Sequence, residues 1–468
     1  MSTSYETGNQ QGDKFDVVVA GGGISGAIAG IAAARCGMKT LVIEQYGFLG
    51  GNLTACGVGP MMTFHVGEKQ VIQGITGELI ERLVAKGKSP GHVFDTTGTT
   101  YTVTPFDAEA MKLELEQMLV ESGGTVLYHT MLAAVDTCEG EITGLLLCNK
   151  AGLSKVYGTV YIDATGDGDL SAWAGVEFAL GREEDHACQP MTMKMKMCNV
   201  DIARIRSFIK ENPEEFPRYR ENPSMIDQSD KLSTGGFVQT LKEAQHKGEI
   251  TFNREEILFF ETNNPGEVIV NTTRVQGCTG TDPWSLSQAE MEGRKQTAEL
   301  ERLLIQRVPG FENAFVEYTG PSIGVRSSRQ IKGLYRITLE DLLYCKKFDD
   351  VIAHGGYPID IHPPEGEDPE ESTDENRKRR HLPWGSMYHI PYSSMVNGRV
   401  HNLITVGRCI SATFEAQGAI RLTPIAGAIG HAGGVAAALA VKNGEKTSEI
   451  NISTLQRTLK EQGAYLAI

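Results

Sequence analysis

The sequence predicts an α/β fold, a Rossmann-like domain with a β-meander joined to a second, α+β domain. Three observations predict it. Phe15 to Ala20 is a short apolar strand that runs into Gly21-Gly22-Gly23 and an alanine-rich helix. After Thr125, three β-rich runs are separated by E-G-E and N-K-A-G turns and end in V-Y-I-D-A-T at Val160 to Thr165. From about Gly181 to Trp384 the chain becomes more polar and mixed, with alternating β signals.

The first helix spans about Ser25 to Cys36, and a second strand follows at Lys39 to Glu44, completing a βαβ unit. Asp107 has the position of an N-cap for a helix reaching about Glu121, which Gly123-Gly124 ends. In the second domain a helix is expected over Ser287 to Arg307. Met191, Met193, Met195 and Met197 alternate with Thr192, Lys194 and Lys196, a strand with one apolar face for core packing. Glu365 to Arg380 is charge-dense and expected as an exposed loop. From Asn402 the chain returns to strand, glycine and a small-residue helix. The expected division is a discontinuous first domain (14–60, 107–180 and 385–445), a second domain (61–106 and 181–384) and a C-terminal tail (446–468).

Composition narrows the function classes. The 468 residues carry a formal net charge of -15. That balance argues against a general nucleic-acid or anionic-membrane surface, because neutralising phosphates needs a Lys and Arg excess. Met1 to Lys14 is polar and has no signal-peptide pattern. The apolar tract Gly427 to Val441 is broken by glycines and His431, and at ~15 residues falls short of a membrane span. Nine cysteines without a C-x-x-C pair suggest reduced thiols in a cytoplasm, with no support for a metal site.

The chemistry-bearing motif is Gly21-Gly22-Gly23-Ile24-Ser25-Gly26. Gly21 permits the strand-to-helix turn, Gly23 admits a pyrophosphate, and Gly26 lets helix and sheet pack closely. The helix start, with Ser25, offers unpaired N–H groups to phosphate. Glu44 closes the second strand, where a carboxylate accepts ribose hydroxyls. The motif alone is weak; strand, helix, second strand and acid in register make it a dinucleotide site.

Three further passages carry a family resemblance: Gly50-Gly51-Asn52, I-D-A-T-G-D-G-D at Ile162 to Asp169, and N-L-I-T-V-G-R at Asn402 to Arg408 with the run on to Arg421. With them the chain resembles the FAD-dependent oxidoreductases that share a fold with fumarate reductases and p-hydroxybenzoate hydroxylase. R-S-S-R (Arg326 to Arg329), Y-P-I-D-I-H (Tyr357 to His362) and Y-H-I-P-Y (Tyr388 to Tyr392) extend the likeness, which is closest to the branch of the heterodisulfide reductase flavin subunit. The resemblance implies FAD, with Gly51, Asn52 and Thr54 beside pyrophosphate and flavin, and Gly166 and Asp167 near the adenosine half. It places Gly407 and Arg408 along the ribityl chain, and a helix beginning near Gly427 with its N-terminus toward the flavin.

Arg421 is the leading catalytic candidate, since a guanidinium there could clamp a substrate oxygen, and an internal salt bridge is the equal alternative. His389 and Tyr392 flank Pro391 and can carry protons, although a buried structural pair is slightly favoured. Arg326 and Arg329 would share a face if a helix formed there. Cys56 lies within reach of the flavin, yet a lone cysteine is more often an inert, small buried side chain. The function expected is hydride transfer between FAD and a small organic substrate. The alternatives are a flavin subunit passing electrons to a partner and an RNA-modifying flavoprotein, the latter disfavoured by the acidic balance. A homo-oligomer stays open.

Overall fold

Three consecutive valines at the centre of the first strand require apolar cover on both faces. In the computed structural model, which describes residues 13–366 and 382–467, they receive it. Val17 and Val19 of β1 (Lys14–Ala20) face a core shared with Ile28 and Ile31, while Phe15, Val18 and Ala20 face a second core with Leu145 and Tyr161. Helix α1 (Ile24–Arg35) and strand β2 (Thr40–Ile43) complete the βαβ unit within a residue of the sequence reading. Helix α2 (Gly74–Ala85) follows, then α3 (Ala108–Glu121), capped as expected by the Asp107 carboxylate accepting from Glu109 N and Ala110 N.

Strand β3 (Thr125–Leu127) lies beside β2, and β2 beside β1, all parallel. Strands β4 (Met131–Cys138) and β5 (Glu141–Asn149) form the meander with β6 (Gly152–Asp163). The first half of β6 pairs antiparallel with β5, and its second half parallel with β1. Tyr161–Asp163 also pairs with the late strand Leu403–Thr405. One long strand thus ties meander, nucleotide fold and C-terminal segment together.

The second sheet is antiparallel. It joins β7 (Met195–Cys198), β8 (Ser233–Gly236), β9 (Ile257–Glu261), β10 (Val268–Val270) and β11 (Phe315–Thr319) in the order β8-β9-β10-β7-β11. Met195 and Met197 enter its core with Phe259 and Val268, and Met191 and Met193 enter a smaller cluster with Ile323. Helix α4 (Pro283–Arg307) begins four residues before the expected Ser287, because Asp282 caps it and Pro283 occupies its first turn.

Met61, Phe64 and the buried face of α2 pack into the same core as α1, as do Ile352 and Tyr357. The expected tail is not loose, since Leu455 and Leu459 of its amphipathic helix and Leu466 join that same core. Arg326 and Arg329 share no helix face, because Arg329 opens a strand, Arg329–Ile331, paired with Phe178–Leu180. The charged loop from Glu365 lies almost entirely outside the described residues. The small-residue helices are α5 (Phe414–Ile420) and α6 (Thr423–Asn443). The second is long and apolar enough to cross a membrane, but 83% of its apolar window is buried in the protein. Its Gly430 and Gly434 let it lie against α1, where a Cβ would meet Ser25 O at 2.1 Å and Ala29 O at 2.2 Å.

Buried neutral histidines predict acid sensitivity. His354 and His389 pack with ring centroids 4.7 Å apart, and each uses a ring nitrogen to accept a backbone N–H, from Ala467 and Phe348 respectively. Burial, with the field of neighbouring cations, lowers His354 to about 3 and His389 to about 4; burial also lowers His431 to about 4. The unfolded chain binds these protons near pH 6.5 and the folded chain does not, so stability holds above that pH and falls from about 6.5 toward 4. Urea midpoints across pH 4.5–8 should show this decline, with a shallower slope in His354→Gln. A flat profile would contradict it.

Candidate active site

The cradle is built by glycines whose reasons differ. A Cβ on Gly26 would lie 1.9 Å from Gly21 O, and one on Gly22 would meet Leu49 and Glu44, so both serve packing. A Cβ on Gly23 would have only Gly51 Cα within 4 Å, at 3.9 Å, and would project into space. Gly23 starts α1 without a side-chain cap, leaving first-turn N–H groups for a ligand. Gly50 and Gly51, both at positive φ, bring the next loop against Gly23. The Glu44 carboxylate accepts from Gly22 N at 2.7 Å and Tyr46 N at 2.9 Å, which fixes its position at the end of β2. Its pKa is raised by burial, against those N–H groups. Helix start, close-set glycine backbones and terminal acid fit a dinucleotide: Gly23, Ser25, Gly51 and Glu44 would hold its phosphates and ribose.

Beyond the cradle, Thr54 donates to Leu49 O and shapes the loop. Asn52 Oδ1 accepts from Cys56 Sγ at 3.3 Å. Burial pushes the Cys56 thiol up to about 12, with Arg408 and Lys194 opposing, so it bears its proton and is a poor nucleophile. Gly407 abuts Ser25, where a Cβ would lie 2.5 Å from Oγ. Arg408 is committed within the protein. Its guanidinium donates to Gly166 O and Val325 O, both at 2.6 Å, and to the Asp167 carboxylate at 2.5 Å. Asp167 also accepts from Ser328 Oγ. The Gly166-Asp167 and Gly407-Arg408 pairs therefore knot the nucleotide fold to the second domain, and Arg408 has less to offer a ribityl chain than expected.

The loop after the cradle faces a wall of cations. The Met face of the β7 strand turns into the core, so Lys194 turns the other way, its Cβ 3.8 Å from where a Gly57 Cβ would stand. Lys194 Nζ has no hydrogen-bond or ion-pair partner among the described residues, and burial with the fields of Arg326 and Arg421 lowers its pKa to about 7. Arg326 donates to Pro190 O, while Gln417 Nε2 holds its carbonyl at 2.9 Å. Gln417 Oε1 accepts from Gln189, whose own Oε1 accepts from His362 N. Arg421 reaches Asp360 at 3.0 Å, and His362 lies 3.4 Å from the same carboxylate. Burial alone would raise Asp360, but His362, Arg421 and Arg326 hold it well below the usual range. The guanidinium Nε of Arg421 is buried without a partner.

Arg421 thus joins this wall, though paired to Asp360, as the alternative reading allowed. His389 and Tyr392 do not join it. Tyr388 sends its hydroxyl to Ala419 O, so the next residue, His389, turns away toward Lys347 and His354. Tyr392 is 2% exposed and donates to Thr447 O at 2.7 Å, an anchor for the C-terminal segment. Gly427 is also corrected. α6 begins at Thr423, a turn earlier, and a Gly427 Cβ would strike Thr76 Oγ1 at 2.6 Å, so its role is packing against α2. Lys194 and Gln417 were missed; the only sequence sign of Lys194 was a cation opposite a methionine face.

Residues 16–459 match the family described as FAD dependent oxidoreductase. Digeranylgeranylglycerophospholipid reductase 1 of Methanococcoides burtonii is 24% identical over 187 residues, 38% of this chain and 44% of that protein. Digeranylgeranylglycerophospholipid reductase 2 of Methanopyrus kandleri is 26% identical over 208 residues, 44% of this chain and 50% of that protein. The chain therefore spans about half the length of the curated relatives it matches. A geranylgeranyl bacteriochlorophyll reductase-like protein of Thermoplasma acidophilum superposes over 97% of this chain and 84% of its own, with 13% identity and a TM-score of 0.48.

Proposed function

This chain belongs to the FAD-dependent oxidoreductase family, and we propose that it exchanges a hydride between its flavin and a small polar substrate held against Lys194, Arg326 and Arg421. FAD supplies the two-electron chemistry when bound. The side chains here bind and orient. Arg421, anchored by Asp360, would hold one substrate oxygen, and Lys194 Nζ would hold another. The observation that carries the reading is the meeting, at Cys56 and Gly57, of the loop leaving the dinucleotide cradle with the segment that bears Lys194, just before β7.

The curated relatives are named for a prenyl-lipid substrate. The polar wall of Lys194, Arg326, Gln189, Gln417 and His362 supports a smaller, polar one. A second reading, electron transfer to a partner as in the heterodisulfide reductase branch, draws its support from the R-S-S-R and Y-P-I-D-I-H passages. A cytoplasmic protein without nucleic-acid or membrane partners suits the acidic balance and the burial of α6. The test is anaerobic stopped-flow with the purified FAD-loaded chain and a panel of small polar alcohols, amines, acids and unsaturated acids, each with NAD(P)H or without. Bleaching or recovery of the visible flavin bands by a small molecule alone is expected. A flavin that reacts only when another protein is added would favour the second reading.

A further inference from the structure

We infer that the substrate carries an anionic group, a carboxylate or a phosphate, seated between the Lys194 ammonium and the Arg326 guanidinium. The inference rests on the hydride-exchange reading for what the site is used for, but its argument is one of charge.

Among the described residues, several neighbouring ions have partners of opposite sign. Arg408 is paired with Asp167, Arg274 with Glu255, and Arg294 with Glu290. Arg421 and His362 share Asp360. Neither Lys194 nor Arg326 has an ion pair among the described residues, although Arg326 lies in the field of Asp360. The Pro190 carbonyl is a neutral acceptor and uses one of the five Arg326 donors. Thr192 pairs antiparallel with Gly324 and Arg326 donates to Pro190 O, so the segments that bear Lys194 and Arg326 run side by side, with Arg421 and Asp360 within the field of Arg326. Both side chains are half-buried, so each keeps part of its charge away from water without a counter-ion, and a bound anion offsets that cost by pairing and by hydrogen bonds. Burial together with the fields of Arg421, Arg254 and Arg274 lowers Arg326 to about 9, against Asp360.

The geometry suits such a guest. The Gln189–Gln417 bridge fixes the carbonyl of Arg326, and the methionine core fixes the strand of Lys194, so both cations sit on rigid supports. The FAD pyrophosphate would take a separate place, held by the first-turn N–H groups of α1 and by Gly51. An acidic protein with this local excess of positive charge would admit a small anion and discourage a long nucleic acid.

The test titrates the oxidised FAD-loaded protein, at constant ionic strength, with succinate, inorganic phosphate and neutral succinamide, following the visible flavin spectrum. A saturable perturbation by succinate or phosphate and none by succinamide is expected, and the stronger anion identifies the group. Lys194→Met and Arg326→Met should each weaken the effective anion by roughly 10- to 100-fold while keeping one FAD per chain. Arg326→Lys should keep part of the affinity. Melting temperature gives a second readout: the anion should raise that of the wild type and not that of Lys194→Met, whose anion-free form should melt no lower than wild type. No saturable response to either anion, an equal response to succinamide, or variants that lose FAD instead of the anion would overturn the inference. Anion binding beside a flavin that no small molecule reduces would overturn the hydride reading alone.

Discussion

Gly23→Val should give a folded protein that no longer retains FAD. The backbone at Gly23 has φ -59, which any residue adopts, and among the described residues an added Cβ would meet only Gly51 Cα, at 3.9 Å. The melting temperature of the apoprotein should therefore stay close to wild type. The added carbons stand where the pyrophosphate must approach the backbone, so affinity should fall by roughly 100-fold or more, about 3 kcal/mol. Gly26→Ala is the contrasting case. Its methyl would lie 1.9 Å from Gly21 O, and α1 must move off the sheet to admit it. Such overpacking costs about 1–3 kcal/mol or more, visible as a lower melting temperature in apoprotein and holoprotein alike. Normal flavin retention in Gly23→Val, measured by absorbance after gel filtration, would contradict the cradle.

Arg421→Lys should slow substrate-driven flavin reduction while leaving flavin content unchanged. Lysine keeps the charge but loses the planar fork, which can meet Asp360 and a substrate oxygen together. Losing one charged hydrogen bond in the transition state costs about 1.5–3 kcal/mol, or roughly a 10- to 100-fold lower rate. Asp360→Asn should give a smaller loss, since the arginine stays but its aim relaxes. A rate within twofold of wild type in Arg421→Lys, with a known substrate in anaerobic stopped-flow, would mean that the Asp360 pair is purely structural.

The nucleotide half of the site was legible because its requirements are local. Turn, helix start and terminal acid fall within thirty residues of Phe15, and each demands a particular residue type. The wall was less legible because it is assembled from distant parts of the chain. Lys194, Arg326, Asp360 and Arg421 meet only once the second sheet is laid against the cradle, and no spacing along the chain records that. His389 and Tyr392 misled for the same reason. A residue beside a motif can face either side of its strand, and the Tyr388 hydroxyl, bonded to Ala419 O, decides which side His389 takes. Gly427 shows a subtler failure. Pro424 in the first turn moved the start of α6 a turn earlier, so the glycine that looked terminal is an interior packing contact.

The most direct test of the account is a crystal structure of the FAD-loaded protein with succinate or phosphate. The pyrophosphate is expected across Gly23 and Gly51, the ring beside Cys56, and the anion bonded to Lys194 Nζ and Arg326 on the ring's open side. A ring turned away from Lys194, or an anion bound elsewhere while that ammonium stays without a partner, would contradict it.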